Sequence, residues 1–136
     1  MMNTKKIIRT SSLVYISASI MSLSYVALKS LFNPQSTMDL VAITLPNTDA
    51  ISSIRGIYGG AGLAIVILLI YLLFKDISKG LIFLSVFWGA YAISRLMTIW
   101  LDGPLGEFGS NWLKIESILC LTATILVILN LKDRKV

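Results

Sequence analysis

The stretch "WGAYAISRLMTIWLDGP", Trp88 to Pro104, decides how the chain is read. Its apolar residues run long enough for a membrane helix, yet Arg95 sits in its body. Insertion scales put a charge at the centre of such a helix at a cost of about 2.5–3.5 kcal/mol. A guanidinium placed there needs a reason, and that reason must lie elsewhere in the chain.

The surrounding composition supports the membrane reading. Of the 136 residues, 56% are hydrophobic and only 14% charged, too few to cover a small soluble domain with polar surface. The bilayer is therefore the expected solvent. The net charge of +5 does not point to nucleic acid, because the basic residues flank apolar runs instead of sharing a polar face. The chain has no His and a single Cys, Cys120, within an apolar run. Histidine-based metal centres, histidine general bases and an intrachain disulfide are thereby excluded, and nothing in the sequence implies a cofactor or a metal.

Working outward from the opening stretch, four apolar runs have membrane length. A hydrocarbon core about 30 Å thick requires roughly 20 helical residues. The runs are Leu13–Phe32, Ile54–Phe74, Leu81–Leu101 and Trp112–Leu131. The first is rich in serine (Ser17, Ser19, Ser22, Ser24), and helical serines bond back to their own carbonyls. With Lys5, Lys6 and Arg9 before it, this run has the outline of a signal peptide. Its apolar part is long for one and no small-residue cleavage site follows, so it is read as a retained helix. The fold class expected is all-α, an integral membrane four-helix bundle forming a single domain over residues 1–136.

Lysine and arginine set the expected orientation. Lys5, Lys6 and Arg9 precede the first helix, Lys75 and Lys79 lie between the second and third, and Lys132, Arg134 and Lys135 follow the fourth. The loops Asn33–Ser53 and Asp102–Asn111 contain neither residue but hold Asp39, Asp49, Asp102 and Glu107. Both termini are thus expected in the cytoplasm. Trp100 and Trp112 would mark the outer interface, Tyr71 and Phe74 the inner one. The long Asn33–Ser53 connection contains "MDLVAITLP", too short to span, which is expected to lie on the membrane surface or to cap the outer end. The phrases "LFNP" and "LDGP" that close the first and third helices hint at a duplicated helix pair.

The sequence also offers Arg95 its reason. Helical side chains lean toward the helix N-terminus, so Arg95 leans deeper into the bilayer, and a buried acid is the expected partner. Glu116, early in the fourth helix, lies at similar depth. Helices joined by a short loop pack antiparallel, so Arg95 and Glu116 are placed to form a forked pair. Asp102 follows Arg95 by seven residues on the same face, and Arg55 opens the second helix at the same outer side. Arg55, Arg95, Asp102 and Glu116 are therefore expected to gather in the outer third of the bundle, with Tyr58 and Tyr91 one turn from the arginines. These six residues form the candidate ligand-binding set. The alternative is an internal pair that only fixes helix register. Ser52, Gly56, Gly60 and Ala64, in "SSIRGIYGGAGLA", recur every four residues and read as a small-residue packing ladder inside the bundle, with a dimer seam as the alternative. They are not a phosphate loop, which requires a G-K-[ST] ending after a strand. Cys120, one turn from Glu116, reads as a buried, inert thiol.

"RGIYGGAGLAI" at 55–65, "SRLMTIWLDGP" at 94–104 and the early glutamate of the fourth helix resemble domain of unknown function 4345, a group of small four-helix bacterial membrane proteins. The resemblance covers nearly the whole chain and maps onto Arg55, Gly56, Tyr58, Gly59, Gly60, Arg95, Asp102, Gly103, Pro104 and Glu116. It implies a DoxX-like four-helix architecture in the bacterial inner membrane. Some DoxX-like relatives are linked to quinone or thiol redox systems, but this chain has no cysteine pair.

Three functions follow. The first is a binding or carrier protein in which Arg55 and Arg95 receive the head group of a lipid, a quinone or another amphipathic molecule and apolar helix faces hold its tail. The second is a structural or accessory subunit in which the charges pair internally and a face of the bundle docks a membrane-protein partner or a second copy. Catalysis is the weakest reading. There is no histidine, metal set or activated nucleophile, and an arginine beside a carboxylate favours the ionised form over a proton donor.

Overall fold

The computed structural model describes residues 4–133. Among the described residues the chain is helical and contains no strand. Helix α1 spans Thr4–Phe32, α2 Pro34–Met38, α3 Thr48–Ile54, α4 Ala61–Lys75, α5 Ile77–Leu101 and α6 Glu107–Asp133. A 3-10 turn at Asp39–Val41 follows α2, and a π-helical turn at Arg55–Gly60 joins α3 to α4 without a break. Four helical stretches are long and apolar enough to cross a membrane: Thr4–Phe32, Thr48–Lys75, Ile77–Leu101 and Glu107–Lys132. Each buries only about a fifth of its most apolar window inside the protein, from 17 to 22%, which suits a lipid environment.

Every span extends beyond the apolar run that announces it. The first begins at Thr4 instead of Leu13, the second at Thr48 instead of Ile54, the third at Ile77 instead of Leu81 and the fourth at Glu107 instead of Trp112. An apolar run measures the hydrocarbon crossing. The backbone stays helical until a cap ends the hydrogen-bond ladder, and polar residues carry it that far. Asp76 is one such cap: its carboxylate accepts from the amides of Ser78 and Lys79 at 3.1 and 3.3 Å, so α5 starts one residue after α4 ends. Of the charges used above to expect an orientation, Arg134 and Lys135 lie outside the described residues.

The two phrases ending in proline do different local work. In "LFNP", Asn33 is the N-cap of α2, its side chain accepting from the Ser36 amide, with Pro34 at the first helical position. In "LDGP", Gly103 takes φ +109°, a conformation glycine adopts freely, and the amides of Asp102 and Gly103 both close onto the Thr98 carbonyl to end α5.

The chain divides into two compact units. One combines the start of α1, up to Ile16, with everything from Lys75 onward; the other runs Ser17–Phe74. In the first unit α5 and α6 pack antiparallel. Ser85 and Thr124 share a hydroxyl hydrogen bond of 2.7 Å, and Gly89 leaves room for the Cys120 sulfur, which a Cβ there would meet at 3.3 Å. The start of α1 is tied to α6 by Asn130 Nδ2 donating to Ser12 Oγ (2.8 Å) and by the Tyr15 hydroxyl donating to the Leu119 carbonyl (2.7 Å). Leu81, Leu84, Ile16 and Ala123 are fully buried.

In the second unit the connection from Asn33 to Asn47 is an organised segment. Gln35 Nε2 donates to Asp39 Oδ1 and to the Ile43 carbonyl, while its Oε1 accepts from the Leu45 amide. Ser30 and Thr37 share a buried hydroxyl bond of 2.8 Å. The close approach of α4 and the preceding π turn to α1 runs through Gly59 and Gly62. A Cβ on Gly59 would lie 2.6 Å from Leu31 Cγ, and one on Gly62 would lie 2.9 Å from Ala27 Cβ.

The expected packing ladder is not the face that meets α1. Ser52, Gly56, Gly60 and Ala64 are all exposed, and a Cβ on Gly56 or Gly60 would meet nothing within 4 Å. The spacing-of-four argument assumes an unbroken α-helix. The π turn at Arg55–Gly60 bonds i to i+5 and holds an extra residue, which rotates the downstream register and turns Gly59 and Gly62 toward α1.

Candidate functional site

The residues that carry chemistry on α5 and α6 meet where the sequence pattern puts them. Arg95 lies on the α5 face that also presents Leu84, Trp88 and Ala92, all buried. Glu116 lies on α6 at one of its most enclosed positions, 2% exposed. Arg95 Nε donates to Glu116 Oε2 at 2.6 Å and Nη2 to Oε1 at 2.8 Å. Both carboxylate oxygens are therefore engaged by one planar guanidinium, the fork geometry that distinguishes arginine from lysine. The Arg95 side chain remains 22% exposed.

The other members of the expected cluster have their own local settings. Asp102 is exposed at the C-terminus of α5; its amide caps the helix, and its carboxylate makes no ion pair or hydrogen bond among the described residues. The rule that predicted the Arg95–Glu116 contact also explains this: Arg95 leans toward the N-terminus of α5, away from Asp102. Arg55 belongs to the second unit, where its Nε donates to the Leu31 carbonyl at 2.8 Å, satisfying one of the last carbonyls of α1. Tyr58 is half-buried in the same unit, and its hydroxyl makes no hydrogen bond to Arg55. Tyr91 is 40% exposed and packs against Phe87 and Trp88, with ring centroids 5.1 and 6.4 Å away. Cys120 is half-buried, with its thiol directed at the Ser85 carbonyl at 3.4 Å. Among the described residues no group of His, Cys, Asp or Glu could hold a metal ion.

A family model described as a domain of unknown function (DUF4345) matches residues 12–127. The chain belongs to this family. The match spans α1 through most of α6 and includes every residue of the candidate set. No curated protein and no solved structure gives a significant match.

One feature of this family member's α5 has no counterpart in the sequence reading. The Trp88 side chain is 7% exposed, and its indole Nε1 is buried without a hydrogen-bond partner among the described residues. Trp88 precedes Arg95 by seven residues, two turns of α5 and roughly 10 Å along its axis. An apolar run can announce that a tryptophan is buried. Whether its N–H finds an acceptor depends on the exact position of neighbouring carbonyls, for which a sequence carries no signal.

Proposed function

We propose that the chain is a non-catalytic protein of the bacterial inner membrane, with both termini in the cytoplasm, serving as a structural or accessory subunit of a membrane assembly. The observation that carries this reading is the closed Arg95–Glu116 pair. Both oxygens of a carboxylate only 2% exposed are engaged by the guanidinium, and burial shields the acid from an incoming substrate. Such a pair fixes the register of α5 against α6 and leaves the outward faces to meet lipid or another membrane protein. The orientation rests on Lys5, Lys6, Arg9, Lys75, Lys79 and Lys132, set against loops that hold only acids.

A second reading is favoured by a separate observation. The unpartnered Trp88 N–H lies on the same face of α5 as Arg95, and leaving a buried donor unsatisfied costs about 1–3 kcal/mol. An amphipathic ligand bearing a carbonyl or phosphoryl oxygen, as a lipid or quinone does, would satisfy it.

Native mass spectrometry of gently purified protein, beside Arg95→Ala and Trp88→Phe variants, separates the two. No bound molecule that depends on Trp88, with only Arg95→Ala destabilised, supports the structural subunit. A copurifying small molecule lost from Trp88→Phe while helix content persists overturns it in favour of the ligand.

A further inference from the structure

The second unit holds a groove that none of these readings uses. It is open, about 390 Å³ in volume, and lined by Tyr25, Leu28, Lys29, Phe32, Asn33 and Ser36. Tyr25, Leu28 and Phe32 fall at i, i+3 and i+7 on one face of α1 and are 69, 46 and 84% exposed. They form an apolar strip along the end of a helix of membrane length. Lys29 sits within the strip and is only half-buried. It makes no ion pair with any described residue.

The other polar groups around Lys29 are uncharged. The Asn33 amide oxygen accepts from the Ser36 N–H, which leaves the amide nitrogen as the outward-facing donor. The Tyr25 hydroxyl makes no hydrogen bond within the described residues. No carboxylate lines the groove, and the next acid along the chain, Asp39, is engaged by Gln35 Nε2 at 2.6 Å. A lysine in the last turn of a helix also faces unpaired carbonyls, but its side chain leans back toward the N-terminus, over the apolar strip. A cation thus sits within an apolar track, with an amide N–H one turn beyond it and a hydroxyl one turn before it, at the depth where a membrane-spanning helix meets the head groups.

We propose that this groove binds one anionic phospholipid, its phosphodiester on Lys29 and Asn33 and an acyl chain along Tyr25, Leu28 and Phe32. Charge complementarity selects this occupant: a neutral helix from a second copy would cover the apolar strip and leave the ammonium without a counter-charge. The site is separate from the Arg95–Glu116 pair and stands whichever function that pair serves.

The test is native mass spectrometry of the full chain from micelles containing equal amounts of phosphatidylglycerol and phosphatidylcholine. The wild type is expected to retain phosphatidylglycerol preferentially. Lys29→Gln is expected to lower that preference about fivefold, the scale of one lysine near an anionic surface. Lys29→Arg should keep it, and Lys132→Gln, at the far end of α6, should leave it unchanged. Circular dichroism checks that each variant remains helical. Three results would overturn the proposal: equal retention of both lipids by the wild type, an unchanged preference in Lys29→Gln, or displacement of the lipid by inorganic phosphate at matched concentration, which would make the site one for a free anion. A wild-type dimer that Lys29→Gln dissolves without any lipid signal would also overturn it, assigning the groove to a second copy.

Discussion

Replacing Glu116 alone is expected to damage the protein more than replacing Glu116 and Arg95 together. The pair comprises two charge-assisted hydrogen bonds, 2.6 and 2.8 Å, around a carboxylate 2% exposed. Removing one member of a buried pair leaves the other charge uncompensated, at a cost of about 3–5 kcal/mol. Arg95 keeps 22% exposure, so part of its charge can be carried toward the surface by its flexible stem. The lower end applies, ~3 kcal/mol for Glu116→Leu. Arg95→Met leaves a carboxylate with less reach and should cost at least as much, ~3–4 kcal/mol. The double variant Arg95→Met/Glu116→Leu places apolar side chains of similar length on both helices and should fall within ~1 kcal/mol of wild type, because the desolvation of two charges is no longer opposed to their attraction. The coupling energy is then several kcal/mol, at or above the ~3 kcal/mol upper range seen for contacting residues. Arg95→Lys keeps the charge but loses the fork, and should sit between, at ~1–2 kcal/mol. Reversible unfolding in mixed detergent micelles, followed by tryptophan fluorescence and circular dichroism, measures all four. Single variants that each cost under ~1 kcal/mol and simply add in the double would refute the reasoning, since a pair that determines register cannot be additive.

Two further substitutions test the backbone. Gly59→Ala should destabilise by ~1–3 kcal/mol, because its Cβ would lie 2.6 Å from Leu31 Cγ and 3.1 Å from the Leu31 amide, whereas Gly60→Ala meets nothing and should be neutral or stabilising by up to ~1 kcal/mol. Both are read by the same unfolding titration, and a cost at Gly60 equal to that at Gly59 would restore the spacing-of-four ladder. Gly103→Ala, at φ +109°, should cost ~1–2 kcal/mol and loosen the end of α5, measurable as faster amide exchange at Asp102 and at the substituted residue itself.

What was legible in the sequence follows from which physics is local. The four spans were readable because the bilayer imposes a length on apolar runs. Their N-terminal starts were not, because hydropathy is silent on a cap such as Asp76. The Arg95–Glu116 contact was readable because depth, side-chain lean and a short connection together leave a buried guanidinium few acids to meet. Asp102 was misjudged by counting helix faces and ignoring that lean. Lys29 and Lys114 lie at the same helix ends as the acidic loops, where the charge rule expects few lysines. That rule concerns loops and orientation, so it passes over a lysine inside a helix whose role depends on what lines the groove beside it.

The glycine ladder is the most instructive case. Four small residues at perfect spacing pointed to one face, and the protein uses two others. A π turn forms where one residue more than the α-helical count must be accommodated, and Arg55, at its start, also anchors the turn to α1 through the Leu31 carbonyl. Gly59, at the fifth position of that turn, then lies against the same residue, Leu31. The arginine and the glycine therefore act on one point of α1: one bonds its carbonyl, the other yields space to its side chain. On this argument the arginine-glycine phrase is a local docking device between α1 and the second span. It gives Arg55 Nε a partner within the chain and leaves the Trp88 N–H as the main support of the binding reading.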